Sequence, residues 1–455
     1  MISGPTRGRI DRVDRIDRVD RIDRRWLLVL AAVFVLALVP RTVVAVQFDQ
    51  PPRLTNDAGW YDVFGKQIAQ GKGYSVPFVQ TPTAVWPPGY PFYLGGLYKL
   101  TDESRLAARL SQAVLGALTA VLAAELGRRL FSRNAGAAAG VVMAFVPGHI
   151  FFTPLLMSEV LFTLLVTAAL VAGVRAHSYR DAALTGILLG AATLVRPQGL
   201  LMVLAIAAGW TAFGYFRRAE RTRSLAMLAL TLVAAAAVVT PWSVRNVIRL
   251  DAFVPVSTNL GINLWIGNNP QADGGFRPGN TKPFEDAVAN LPRPELEVTY
   301  DRLAREAALR YIREHPRDAI SNWPNKIYLL YEDDVTATNW YQPLGADYLS
   351  PHTEDRINLM SNVYYYAMLI AAAAGVALLA FERSRGLVLP LAVLAVWTMV
   401  SLVFFAEPRF HIPVYPAFAL LAGAAIARVF ELATQRLSRV QPHATADESA
   451  PQPSA

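Results

Sequence analysis

Five places in this 455-residue chain, the last made of two stretches, set ionisable side chains beside strongly apolar runs. The first is Asn56-Asp57-Ala58-Gly59-Trp60-Tyr61, just after the first apolar run. A carboxylate at that boundary can take a proton from an attacking hydroxyl or amine. Asp57 could instead cap a helix running from Gly59 to Gln70. The second, Trp86-Pro87-Pro88-Gly89-Tyr90-Pro91, combines a double proline that holds the backbone extended with rings that offer stacking faces or an interfacial belt. The third, Met157-Ser158-Glu159, opens an apolar run with an acid. That acid either complements the helix dipole or orients a substrate hydroxyl. The fourth is Arg196 in Leu194-Val195-Arg196-Pro197-Gln198-Gly199, a guanidinium that either snorkels or holds an anion. The fifth pairs Arg245, in Pro241-Trp242-Ser243-Val244-Arg245-Asn246, with Arg409, in Glu407-Pro408-Arg409-Phe410-His411.

A charge at the centre of a membrane helix costs roughly 2.5–3.5 kcal/mol on insertion scales, so charges at span boundaries call for a reason. Three arginines beside apolar helices suit a phosphate carried on a lipid. The planar guanidinium grips two phosphate oxygens and stays charged. The acidic run Glu332-Asp333-Asp334 offers hard oxygen ligands for a divalent cation, but its spacing specifies none, and a solvated turn is expected there.

The elements that must position these groups are membrane helices. Hydrophobic residues make up 53% of the chain and charged ones 17%, well below the roughly 25% of a soluble protein. An ordinary soluble domain, a disordered chain and a fibrous protein are thereby excluded. There is no cysteine, which removes disulfides, thiolate metal sites and cysteine nucleophiles. The formal charge of +8 rests on arginine, and in so apolar a chain it reads as an orientation signal, not a nucleic-acid surface.

Apolar runs predict about ten spans, near residues 26–46, 106–125, 135–152, 160–174, 182–194, 199–215, 225–242, 363–381, 386–405 and 412–429. The fold expected is an all-α polytopic membrane protein with a mixed, mainly helical outer domain. If the spans alternate, the N-terminal tail and the arginines near 128–133, 175–180, 217–223, 383–385 and 428–439 share one side. The positive-inside rule makes that side the cytoplasm. Both termini are then cytoplasmic, and the loops near 47–105, 153–159, 195–198, 243–362 and 406–411 face outward.

Five regions follow: a charged tail over 1–25, a membrane domain over 26–245, an outer domain over 246–362, C-terminal spans over 363–429 and a tail over 430–455. The first holds an Arg-Ile-Asp-Arg-Val-Asp repeat whose period of three suits a solvated helix or arm better than a coiled-coil seam. The last stretch, Gln441–Ala455, has the Pro-, Ala- and Ser-rich composition of disorder. In the outer domain, one helix is expected to end before Pro316. A second, over 319–331, carries Trp323, Tyr328 and Tyr331 and suits the membrane interface.

The early aspartate and the aromatic-Pro-Pro segment resemble the glycosyltransferase C superfamily, nearest to bacterial relatives of protein O-mannosyltransferases and of the lipid A aminoarabinose transferase. The Arg-Pro-Gln-Gly turn at Arg196, the stretch Pro241–Asn246, the run Asn259–Pro270 and Arg409–Pro416 extend the likeness over most of Trp26–Val429. The resemblance implies a polyprenyl-phosphate-linked sugar donor, inversion at the sugar carbon and an acceptor that is a glycolipid, a cell-wall glycan or a protein. It implies Asp57 and Glu159 as catalytic acids, and Arg196, Arg245 and Arg409 as donor-phosphate ligands. Tyr61, Trp86, Asn246 and His411, in the same motifs, are expected to bind substrate. Ala58 stands where many relatives have a second acid. Trp86 stands where the aminoarabinose branch has a charge, so lipid A is not implied as acceptor. No resident cofactor or metal is expected, though a divalent cation is left open. The partners are membrane lipids, the lipid-linked donor and the acceptor, and the setting is a bacterial plasma membrane with an extracytoplasmic site. The rival reading is a transporter or lipid flippase, which predicts repeated halves with broken helices at the midplane; no such repeat is visible in the sequence.

Overall fold

In the computed structural model, residues 23–47, 56–174, 178–218, 220–293, 295–341 and 349–440 are described. The N-terminal repeat, Arg175 and the tail from Gln441 lie outside them, as do the side chains of Arg436 and Arg439. Six helices are long and apolar enough to cross a membrane: Arg24–Gln47, Arg105–Leu130, Arg221–Leu250, Pro351–Phe381, Arg385–Val403 and Pro408–Gln435. Shorter apolar helices, Glu159–Gly173 and Pro197–Phe213, pack among them. Each expected span falls on helix, but the third is broken. A helix over Arg133–Ala144 stops, and a short one over Pro147–Phe151 restarts. Pro147 lacks the N–H that would continue the first helix.

We label α1 Arg24–Gln47, α2 Asp57–Ala69, α3 Gly89–Thr101, α4 Arg105–Leu130, α5 Arg133–Ala144, α6 Pro147–Phe151, α7 Glu159–Gly173 and α8 Tyr179–Val195. Next come α9 Met202–Phe213, α10 Arg221–Leu250, α11 Leu260–Gly267, α12 Lys282–Val288, α13 Glu295–Glu314, α14 Pro316–Ser321 and α15 Trp323–Tyr331. The remainder are α16 Thr336–Tyr341, α17 Pro351–Phe381, α18 Val388–Val403 and α19 Tyr415–Val440. The strands among the described residues are Ser75–Val76 and Thr81–Pro82, an antiparallel pair in the first loop. The large loop is mainly helical among its described residues, with irregular chain between its helices.

Lipid supplies little hydrophobic drive between helices, so close backbone packing matters more. The sequence meets this with small residues. A Cβ on Gly127 would stand 2.9 Å from the Gly136 Cα, and one on Gly190 would stand 2.7 Å from the Ala235 carbonyl oxygen. The α4–α5 and α8–α10 pairs meet at these points. Helix starts are capped locally: Ser104 and Ser132 accept from backbone N–H groups three residues on, and Ser178 forms a reciprocal box with Asp181.

The outer helices follow the expected punctuation with one change. α13 ends before Pro316, as its pattern predicts. The amphipathic stretch over 319–331 is two helices, α14 and α15, because Pro324 starts a new first turn. Tyr328 is 63% exposed and Trp323 38%, which suits the interface expected of α15.

Candidate active site

The first carboxylate is placed by its neighbours. Asn56, not Asp57, caps α2: its side-chain oxygen accepts from the Gly59 N–H at 3.1 Å. The capping alternative for Asp57 is thus corrected, and its carboxylate, in the first helical turn, serves elsewhere. One turn on, Asp62 anchors the same helix by accepting from Tyr98 at 2.6 Å and from Arg105 Nη2 at 2.8 Å. Burial pushes the Asp62 carboxyl up, but these hydrogen bonds and charges outweigh it and hold it below the usual range.

Asp57 Oδ2 accepts from Arg409 Nη1 at 3.0 Å, and Arg409 Nε donates to Glu407 Oε2 at 2.7 Å. The Arg409 guanidinium also lies 4.6 Å from the Trp340 ring centre and 5.1 Å from that of Phe410. Arg409 therefore has two anionic partners and two ring faces to fix it. Pro408 opens the tight turn that carries it, and the Trp397 indole donates to the Phe410 carbonyl from α18.

The second pair also borders Phe410. Glu159 Oε1 is 2.7 Å from Arg196 Nη1, and Arg196 lies 5.7 Å from the Phe410 ring centre. Glu159 is completely buried and begins α7, so the dipole reading and the ion pair hold together. Snorkelling does not describe Arg196, which is pinned to that acid. Tyr61 links the two pairs. Burial raises its hydroxyl pKa most, the Asp57 and Glu159 charges add to this, and Arg196 and Ser158 oppose it. Residues 57, 61, 158, 159, 196, 407, 409 and 410 are thus one neighbourhood drawn from four distant stretches.

Other expected site residues fall elsewhere. Arg245 donates to the Thr83 carbonyl at 2.8 Å and the Tyr74 carbonyl at 2.7 Å, and stacks 4.6 Å from the Trp242 ring centre. Its guanidinium binds the first loop's backbone, not the Asp57–Arg409 group. Glu297 of α13 reinforces the same segment by accepting from Thr83, the Ala84 N–H and Thr258. Burial raises the Glu297 carboxyl, with those hydrogen bonds working against the rise. Trp86 stacks on Trp60 at 5.1 Å, which places the double-proline segment against α2. Asn246 is buried, donating to the Val254 carbonyl and accepting from Arg245.

His411 is buried too, with Nδ1 2.8 Å from the Leu330 carbonyl and Nε2 3.0 Å from the Tyr415 hydroxyl. Beside it lies the clearest correction. The acidic run was expected to be a solvated turn, yet Asp334 is only 2% exposed. It accepts from the Gly148 N–H at 3.1 Å and from Tyr415, tying the α5–α6 break to the base of α19. Among the described residues, no cluster of three or more His, Cys, Asp or Glu could hold a metal ion.

Sequence reasoning passed over Glu407, Phe410 and Trp340. The first two stand inside the quoted Glu-Pro-Arg-Phe-His motif, where an acid two residues from an arginine was the available signal. Trp340 carried no signal, since its place depends on the fold of α16.

An apolar groove of about 610 Å³ runs along α10, beside the end of α8 and the turn over Pro197–Leu201. Thr193, Pro197 and Leu200 line one side and Leu232, Val239 and Val247 the other. Arg196 falls in sequence between Thr193 and Pro197, so the groove passes the turn that carries it.

Residues 85–244 match the family described as dolichyl-phosphate-mannose-protein mannosyltransferase. No curated protein matches the chain. Among solved structures, the Archaeoglobus fulgidus oligosaccharyltransferase in its apo form aligns at TM-score 0.55 and 14% identity over 92% of this chain and 52% of that one. The archaeal oligosaccharyltransferase AglB of Archaeoglobus fulgidus, in complex with an inhibitory peptide and a dolichol-phosphate, aligns at TM-score 0.52 and 13% identity over 91% and 52%. ArnT from Cupriavidus metallidurans bound to undecaprenyl phosphate aligns over 93% and 82% at 18% identity, but its TM-score of 0.42 carries no argument. The chain spans about half the length of the archaeal chains it matches. What these likenesses share with the helical architecture is the fold: this is a multi-pass membrane protein folded like the archaeal oligosaccharyltransferase, with residues 85–244 similar to the mannosyltransferase family.

Proposed function

We propose that the protein is a membrane glycosyltransferase that moves a sugar from a polyprenyl-phosphate-linked donor to an extracytoplasmic acceptor, with inversion. One observation carries this reading: two arginine–carboxylate pairs share the Phe410 ring, and Arg196 of one pair stands in the turn whose Thr193 and Pro197 line an apolar groove. A groove without polar groups would suit a lipid, and an arginine cluster alone would suit any anion. Together they suit a phosphate on a long hydrocarbon. The archaeal structure of similar fold is described with a dolichol-phosphate, which fits the same donor class. The six arginine-bearing segments that share a side by the positive-inside rule support cytoplasmic termini and an outward site.

In the reaction, an acceptor oxygen or nitrogen attacks the anomeric carbon as the bond from that carbon to the phosphate oxygen breaks. Asp57 takes the acceptor's proton, and the lipid phosphate leaves with one more negative charge than the donor phosphate carried. Arg409 and Arg196 stabilise that charge as it grows, which is where an electrostatic contact lowers a barrier. Glu159 orients Arg196, and Tyr61 and Ser158 complete the polar wall. Arg245 and Glu297 hold the first loop, and with it Trp86, against α2. No step is assigned to a metal ion.

The test is transfer of radiolabelled sugar from a polyprenyl phosphate to endogenous acceptors in membranes carrying Asp57→Asn. Transfer should fall by about 100-fold or more, with normal insertion, since general-base catalysis contributes 10²–10⁴-fold. Transfer within a few-fold of wild type would remove Asp57 from the mechanism. Lipid movement across sealed vesicles with no glycosylated acceptor would replace the transferase reading with a flippase.

A further inference from the structure

We propose that Asp57 occupies the place on Arg409 that the donor phosphate takes, so that donor binding itself releases the catalytic base. The inference rests on the transferase reading and goes beyond it by fixing the order of events.

The Arg409 guanidinium presents two edges to anions. Its Nε edge is held by Glu407 at 2.7 Å, whereas its terminal fork is met by a single oxygen of Asp57 at 3.0 Å. A phosphate would use that fork with two oxygens, a stronger and more directional arrangement. The guanidinium cannot readily move aside, since Trp340 and Phe410 lie against it and its side chain is only 13% exposed. The Asp57 side chain is 35% exposed. Its carboxylate can turn into water when displaced, and a partly exposed ion pair of this kind costs little to break on that side. Glu159, completely buried on Arg196, has no such exit.

Charge points the same way. Asp57, Glu159 and Glu407 bring three negative charges against the two positive charges of Arg196 and Arg409. An arriving phosphodiester adds another, and the fork cannot hold it beside a carboxylate. The carboxylate with one bond and the most water leaves. As the pair stands, Oδ2 of Asp57 is committed to Arg409. After exchange both its oxygens are available to an acceptor hydroxyl, beside a donor already in place. The donor therefore binds first, and an acceptor arriving alone meets an occupied base.

The test uses the full-length protein in lipid nanodiscs, with undecaprenyl phosphate as the probe. Asp57→Asn should bind it on the order of three- to tenfold more tightly than wild type, the worth of one partly exposed ion pair. Arg409→Gln should bind it at least tenfold more weakly. In the wild type, carbodiimide labelling of Asp57, read by peptide mass spectrometry, should rise several-fold when the lipid phosphate saturates the site. An unchanged or weakened affinity in Asp57→Asn, or labelling that falls on binding, would overturn the exchange while leaving the transferase reading intact. A wild type that does not bind the lipid phosphate would overturn the transferase reading and the exchange together.

Discussion

At the residue scale, the two arginines of the site differ in what holds them, and that difference is measurable. Arg196 is paired with an acid that has no water to turn to, whereas Arg409 is paired with acids that are partly exposed. Removing one partner of a buried pair leaves the other charge stranded, which costs more than the pair itself contributed. Arg196→Gln should destabilise the protein by about 2–4 kcal/mol. Adding Glu159→Gln should recover most of that stability in thermal unfolding. Transfer activity should stay lost in the double variant, because the donor phosphate still lacks its guanidinium. Recovery of activity together with stability would make the pair a scaffold only. Arg196→Lys should fall between, keeping the charge but losing the planar fork.

At the element scale, the outer helices are fastened to the membrane spans by buried polar groups, and Lys326 of α15 is the least comfortable of these. It is fully buried, its Nζ donates to the Leu402 carbonyl at 3.0 Å, and burial pulls its pKa down from 10.5 to about 8. The folded state thus disfavours the charged amine, while the unfolded chain accepts it. Between about pH 8 and pH 10.5 the unfolded chain binds more protons, so stability should rise with pH across that window and stay penalised below it. Lys326→Met should therefore stabilise the protein at pH 7 by roughly 1–3 kcal/mol, the charge penalty less the lost hydrogen bond. That advantage should shrink to nothing near pH 10.5. Melting curves of both proteins at pH 7 and above would show it. Curves that remain parallel at every pH would mean that the amine titrates alike in the folded and unfolded chain, and that burial does not shift it.

At the scale of the whole molecule, what could be read in the sequence divides by range. The places of the apolar helices and the end of α13 followed from apolar runs and prolines, which act locally. Asp57, Glu159, Arg196 and Arg409 stood out because a charge beside an apolar run is costly wherever it falls. The partners were not legible. Nothing near Asp334 in sequence shows that Gly148 and Tyr415 would enclose it, and nothing near Arg245 shows that the first loop's carbonyls would take it up. The orientation of the whole, in contrast, rests on the arginine segments and makes a prediction that needs no knowledge of substrate. The chain contains no cysteine, so a single introduced thiol reports without background. Asp273→Cys lies in the large loop, at a side chain 49% exposed, and Tyr179→Cys opens α8 at 51% exposure. In intact cells a membrane-impermeant maleimide should label Asp273→Cys and leave Tyr179→Cys untouched until the membrane is opened. The reverse pattern would place the arginines outside. Asp57 and its neighbours would then face the cytoplasm, and the acceptor would have to be sought there.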